Sequence, residues 1–132
     1  MKKEYDDEWI SNDVFSEDAT ITIKNNRVSF NTQLVKDYNL VDSKYLFISA
    51  PKKLDSNRIR IKFILSKTRD AVPEAKPWTL SKHPKVDRFQ ATPVQWFQKT
   101  GIDSKRIEGQ YVPVRVDDPK KGKIFTIDVE LK

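Results

Sequence analysis

Four short stretches of this sequence alternate between polar and apolar residues, and this alternation restricts the possible fold more than any other feature. A period of two is typical of a β-strand with one buried face. The clearest stretch is 58–64, where the apolar face carries Ile59, Ile61 and Phe63 and the polar face Arg58, Arg60 and Lys62. The other stretches are 20–24, 27–30 and 123–131. The sequence therefore predicts a mostly β (α+β) fold.

Two short helices are predicted between the strands. Asn31 precedes an amphipathic segment, and its side-chain oxygen suits an N-cap. In the second half, Thr92 is the predicted N-cap, with Pro93 at the first helical position. Gly101 is the predicted stop of that helix.

Further strands are predicted at residues 45–50 and 110–116, with a brief strand near residue 79. Pro113 indicates that the strand over 110–116 is an edge strand or contains a bulge. Residues 52–57 are predicted to form a loop.

The two halves of the chain repeat the same order of elements. An offset of 61 residues aligns Arg27 with Arg88, and it aligns the tripeptide at 42–44 with the one at 103–105. We therefore predict two ββαββ repeats at 19–65 and 86–132, joined by a connector at 66–85 and preceded by an acidic arm at 1–18.

The charge of the chain is divided unevenly between this arm and the remaining residues. The formal net charge is +6 over 132 residues, but residues 1–18 hold two lysines against seven acids. The rest of the chain therefore carries +11. A basic body of this kind favours contact with polyanions such as nucleic acid.

Several functional classes have no support in the composition. The chain lacks cysteine and has one histidine, His83, so disulfides, thiolate metal sites and histidine clusters are excluded. Three glycines offer no phosphate-binding loop, and no cofactor is expected. The pair Asp117-Asp118 precedes Pro119 and suits a turn better than acid–base catalysis. No apolar run reaches the length of a membrane span, so we expect a cytoplasmic, non-enzymatic protein without membrane contact.

The first half also resembles a known family. The order strand, arginine after a turn, capped short helix, acid and final hairpin is similar to the swapped-hairpin domains of the AbrB, SpoVT and MazE family. Arg27 and Val28 match its Arg-Val, while Asn26 and Asn31 depart from its glycine and proline, and Asp42 stands where it has an acid. The resemblance implies a small barrel of interleaved hairpins that binds DNA in a regulatory role, as a homodimer or as a tandem monomer.

These observations favour duplex DNA binding in a regulatory or accessory role. Residues at alternate positions of one strand are about 7 Å apart, which suits a row of phosphate contacts. The predicted nucleic-acid-binding residues are Lys24, Arg27, Lys52, Lys53, Arg58, Arg60, Lys62 and Arg88.

Two alternatives remain open from the sequence. One is a binder of single-stranded nucleic acid, for which Tyr45, Trp78 and Tyr111 are the available stacking residues. The other is a protein-interaction module of phage or plasmid type, which would use the acidic arm or exposed strand edges to contact a protein partner.

Overall fold

The fold is mostly β, as predicted, in a computed structural model that describes residues 18–132. The predicted acidic arm lies outside the described residues except for Asp18. Eleven strands form a five-stranded and a six-stranded sheet, and within residues 18–132 neither sheet closes into the expected barrel.

The first sheet has the order β7-β8-β2-β1-β9, with every pair antiparallel. Its strands are β1 (Ile21–Lys24), β2 (Arg27–Phe30), β7 (Ser81–Lys82), β8 (Phe89–Ala91) and β9 (Gly109–Tyr111). Asn25 and Asn26 join β1 to β2 with φ of 52° and 61°. Asparagine tolerates this left-handed region, which suits the two-residue turn of a hairpin.

The second sheet has the order β10-β11-β5-β3-β6, with β4 as an additional neighbour of β5. Its strands are β3 (Tyr45–Ile48), β4 (Lys52–Lys53), β5 (Arg58–Ser66), β6 (Trp78–Thr79), β10 (Val114–Asp118) and β11 (Gly122–Glu130). The long strands β5 and β11 pair at its centre, with Ile61 opposite Ile127.

The two sheets bury their apolar faces against each other. Phe30 of the first sheet and Phe63 of the second meet edge to face, with ring centroids 6.0 Å apart. The alternation in the sequence places the buried side chains on this inner layer and the polar ones outside.

Two short helices follow the hairpins of the first sheet. Helix α1 is Thr32–Asp37, and the amide of Leu34 donates to Asn31 Oδ1 at 3.0 Å, which confirms the predicted cap. Helix α2 is Val94–Thr100, and Gly101 ends it with φ of 72°, as predicted.

The predicted start of α2 was wrong. Pro93 takes the N-cap position instead of Thr92, and no side chain caps the helix. Pro93 is fully buried, so packing rather than a cap hydrogen bond fixes this helix end.

The single strand predicted over 110–116 is two strands. The chain leaves the first sheet after β9 and enters the second sheet at β10, with the buried Pro113 between them. Proline has no amide to donate to a ladder, so the pairing is interrupted there. Both strands are edges, as the proline indicated.

The connector and one predicted loop also contribute strands. Residues 66–85 contain β6, which pairs with β3, and β7, which pairs with β8. The predicted loop at 52–57 begins with β4, which lies along β5. Among residues 18–132, no helix has the length and apolar character needed to cross a membrane.

Candidate nucleic-acid interface

The basic row predicted on β5 points away from the core, but carboxylates accompany it. Arg58 Nε lies 2.7 Å from Asp55 Oδ2. Arg60 forms a bidentate salt bridge with Asp128 of the neighbouring strand. Its Nε donates to Oδ1 at 2.7 Å, and its Nη2 donates to Oδ2 at 3.1 Å.

These ion pairs hold the carboxylates in their charged form. The hydrogen bond from Arg60 lowers the pKa of Asp128, and the hydrogen bond from Arg58 lowers that of Asp55. Glu130 lies opposite Arg58 in the register of β5 and β11. The two arginines therefore face three carboxylates, and Lys62 and Lys52 are the remaining basic residues of this face. The outer face of β5 carries a net charge of only +1.

The other predicted basic residues lie in three places. Lys52 and Lys53 are exposed on β4, where Lys52 lies opposite Arg60. Lys24 and Arg27 face each other beside the first hairpin turn. Arg88 lies immediately before β8 and is exposed. The structure thus brings Lys52 to the β5 row, whereas Lys53 lies opposite the buried Ile59. Lys24, Arg27 and Arg88 lie on the first sheet.

Arg27 and Arg88 line one cleft on the outer face of the first sheet. The cleft has a volume of about 310 Å³ and also contains Lys82 and His83. In the register of β2 and β8, the two arginines are four residues apart along adjacent strands, which is about 14 Å. That distance allows each guanidinium to meet a different phosphate.

Lys82 and His83 connect this cleft to two others. A cleft of about 730 Å³ extends from Lys82 past the connector to β3, and one of about 300 Å³ extends to α1. We call the combined lining of these three clefts the basic tract. Its basic side chains are Arg27, Lys36, Lys44, Lys67, Arg69, Lys82, Lys85 and Arg88.

The basic tract carries a large excess of positive charge. Its eight basic side chains lie with only two carboxylates, Asp42 and Asp87, which leaves a net charge of +6. Lys82 Nζ and Asp87 Oδ1 are 3.1 Å apart. Within residues 18–132, this is the only salt bridge that engages a basic residue of the tract.

Backbone hydrogen bonds fix the connector in this arrangement. The amide of Leu80 donates to the carbonyl of Lys44 at 2.9 Å, and the amide of Lys44 donates to Ser66 at 2.8 Å. The amide of His83 donates to the carbonyl of Arg88 at 2.8 Å. Basic residues that are far apart in sequence therefore line neighbouring clefts.

Polar uncharged side chains border the tract on the outer face of the first sheet. One row of paired residues crosses all five strands, from Ser81 through Gln90, Ser29, Thr22 and Gln110. Hydroxyl and amide groups donate hydrogen bonds to phosphate and sugar oxygens without competing negative charge. This row extends the surface on which a polyanion can lie.

The three aromatic residues considered for stacking differ in their surroundings. Tyr45 lines the largest cleft, with the guanidinium carbon of Arg69 5.8 Å from its ring centroid. Trp78 packs against the core, and its Nε1 donates to Gln95 Oε1 at 3.1 Å. Tyr111 donates its hydroxyl to the Ile107 carbonyl at 2.6 Å, and burial raises its pKa. Of the three, only Tyr45 belongs to the tract.

Sequence reasoning missed six of the eight basic residues of the tract. Four of them, Lys67, Arg69, Lys82 and Lys85, belong to the connector, and Lys36 and Lys44 lie on or after α1. The available signal was the basic density of residues 66–85. Nothing in the local pattern indicated that this segment folds against β3 and β8.

Comparisons with protein families, curated proteins and solved structures gave no match. The side chains of residues 18–132 form no group of three or more histidines and acids able to hold a metal ion.

Proposed function

We propose that this protein binds nucleic acid without catalysing a reaction, and that duplex DNA, in a regulatory or accessory role, is the preferred ligand. The observation that carries the proposal is the net charge of +6 on the basic tract, whose three clefts share lining residues. Basic residues concentrated on one face are the electrostatic footprint of polyanion binding.

Binding would begin with the phosphates. Lysine and arginine side chains of the tract displace counterions from the backbone, so affinity falls steeply as salt rises. The polar row from Ser81 to Gln110 then supplies hydrogen bonds beside the charged contacts. Such contacts fix the position of a duplex but do not by themselves read its sequence.

A salt titration tests the proposal directly. Fluorescence anisotropy with a labelled duplex at about 50 mM and about 200 mM salt should show saturable binding that weakens strongly at the higher concentration. A slope of log K against log salt near zero, or no binding at the lower concentration, would overturn it.

Single-stranded nucleic acid is the second candidate, because Tyr45 and Arg69 line the largest of the three clefts of the tract. An unpaired base can stack on an aromatic ring, which contributes about 1–3 kcal/mol per base. The comparison uses one strand of the duplex at equal salt with wild type and Tyr45→Leu. A preference for the single strand that this substitution abolishes would favour the second candidate over the first.

We also infer that the chain is a tandem duplication of one ββαββ unit, with hairpins interleaved as in the swapped-hairpin family. Each sheet pairs strands of the two halves: β1–β2 lies beside β8, which β7 of the connector extends, and β3–β5 lies beside β10–β11. The offset of 61 residues pairs Ser43 with Ser104, and both are buried. It also pairs Arg27 with Arg88 at the tract.

An experimental structure tests this inference. Superposition of residues 20–66 on residues 79–130 should match β1, β2, α1, β3 and β5 with β7, β8, α2, β10 and β11. The rotation should be about 180°, because β2 pairs antiparallel with β8 and β5 with β11. A different path of the chain between the matched strands would exclude the duplication while leaving the basic tract unaffected.

A further inference from the structure

The free edge of the second sheet carries exposed valines. Val112 and Val114 are each 65% exposed and Val116 is 51% exposed, the three highest values among the large apolar residues of the described chain. Val114 and Val116 lie on β10, which is the outermost strand of its sheet among residues 18–132. Isolated apolar residues are common on surfaces, but a row of them on a strand with one unpaired edge indicates an interaction site.

The free edge is short and has defined ends. The buried Pro113, without an amide donor, precedes β10. At the other end Asp118 Oδ1 accepts the amides of Lys120 and Lys121 at 2.8 and 2.9 Å, which holds the turn into β11. Five residues, Val114–Asp118, are therefore available to a pairing strand.

We propose that β10 pairs antiparallel with β10 of a second copy of this chain, which joins the two second sheets edge to edge. A two-fold axis perpendicular to the sheet places each residue opposite one on the same face. The axis must then pass beside one residue of β10, and its position decides which side chains meet.

The charges select one position for this axis. Centring on Arg115 places two arginines together, and centring on Asp117 places two aspartates together, both of which are destabilising. Centring on Val114 brings Pro113 into the ladder, where it has no amide to donate. Centring on Val116 places each Arg115 opposite Asp117 of the second copy, and places the two Val116 side chains together.

The side chains are already suited to this register. Arg115 Nε lies 3.4 Å from Asp117 Oδ1 within the chain, so both point to the same face. The guanidinium carbon of Arg115 also lies 5.3 Å from the ring centroid of Tyr38, which holds that side chain near the edge. Val116 lies opposite Ile124 of β11, which extends the apolar surface on the other face.

The short strand limits the strength of the association. Interfaces that bury less than about 1,200 Å² form weak or transient complexes. We therefore expect a reversible dimer whose population rises with concentration, and not a permanent one. Pairing about a two-fold axis uses both free edges and closes the assembly at two chains.

Sedimentation equilibrium of the full chain from about 10 µM to about 1 mM measures this association. The expected result is a monomer–dimer equilibrium, which Val116→Lys weakens at least tenfold by placing two ammonium groups at the axis. The matched control is Val41→Lys, because Val41 is 45% exposed and lies outside every strand. A monomer at every concentration, or equal effects of the two substitutions, would overturn the proposal.

A charge exchange tests the register. Arg115→Asp or Asp117→Arg alone should reduce dimer formation about tenfold, because each places like charges opposite each other. The double variant R115D/D117R restores opposite charges across the axis and should recover association to within about threefold of wild type. Thermal unfolding of each variant verifies that the monomer remains folded, and a folded double variant that stays monomeric would contradict the Val116-centred register.

Discussion

Two regions of this protein contain similar basic residues but differ in net charge. On β5, Arg58, Arg60 and Lys62 lie in a regular row. Asp55 and Asp128 form salt bridges with the two arginines, and Glu130 lies opposite Arg58. In the basic tract, eight basic side chains from several segments lie with two carboxylates. A regular strand pattern thus predicts which residues share a face, but the neighbouring strands determine whether that face carries charge.

The largest expected effect comes from neutralising the tract. The triple variant R69Q/K85Q/R88Q, with one residue from each cleft, should bind duplex DNA on the order of 100-fold more weakly at about 100 mM salt. It removes three phosphate contacts, so the slope of log K against log salt should also fall by about 2.7. Fluorescence anisotropy across salt concentrations measures both quantities.

The triple variant R58Q/R60Q/K62Q is the matched control, because it removes the same charge from the β5 row. It should change affinity less than about threefold, since surface ion pairs already satisfy two of its side chains. Equal losses in the two variants would show that only net charge matters, which would contradict the distinction between the two regions.

A smaller effect is expected from the acidic residues before the described chain. Residues 1–17 hold six acids and two lysines. They join the body at Asp18, whose carbonyl accepts from Asn31 Nδ2, and Asn31 and Arg88 line the same cleft. Deleting residues 1–17 should strengthen DNA binding about fivefold, because it removes a net charge of −4 from a chain that binds a polyanion.

A second variant distinguishes the effect of the negative charge on binding from the effect of the length of this segment. Replacing its six acids with the corresponding amides keeps the chain and should strengthen binding as much as the deletion does. Weaker binding after either change would mean that these residues contribute directly to the complex.

A still smaller effect is expected when one carboxylate of the β5 row is neutralised. Asp128→Asn releases Arg60 beside Lys62 and should strengthen DNA binding about twofold. Asp117→Asn is the control, because it releases Arg115 on the edge strand β10, away from the β5 row, with the same change in net charge. If Asp128→Asn has no effect while Asp117→Asn strengthens binding, the β5 row is not a latent basic surface.

The smallest expected effect is on stability at different pH values. The pKa of Asp128 is lowered by its hydrogen bond from Arg60, so its stabilising contribution is present above its ordinary pKa of 3.8. That contribution is lost as the pH falls through the lowered value of the folded state. The melting temperature of wild type should therefore slightly exceed that of Asp128→Asn at pH 6, and the two should converge near pH 2, as monitored by circular dichroism.

Local patterns predicted much of the fold. The alternation over 58–64 defined the outer and inner faces of β5, and Asn31 defined the start of α1. The division at Pro113 was not predictable as a change of sheet, because the choice between sheets depends on long-range pairing with β1 and β11. The proline itself showed only that a ladder is interrupted.

The candidate site was less predictable than the fold. Arg27 and Arg88 emerged from the offset between the halves, and both line the tract. The pairing of Arg60 with Asp128 joins positions 68 residues apart, which no local pattern encodes. The connector showed basic density in the sequence, but its attachment to Lys44 and Arg88 depends on backbone hydrogen bonds formed in the folded chain.

The most direct test of the account is an NMR titration of the ¹⁵N-labelled full chain with a duplex of about 16 base pairs at about 50 mM salt. Chemical shift changes should concentrate at Arg69, Lys85 and Arg88, while the amides of Arg58 and Arg60 remain close to their free positions. Changes centred on β5, with the basic tract unaffected, would contradict the central proposal that the net positive charge of the tract determines where this protein binds a polyanion.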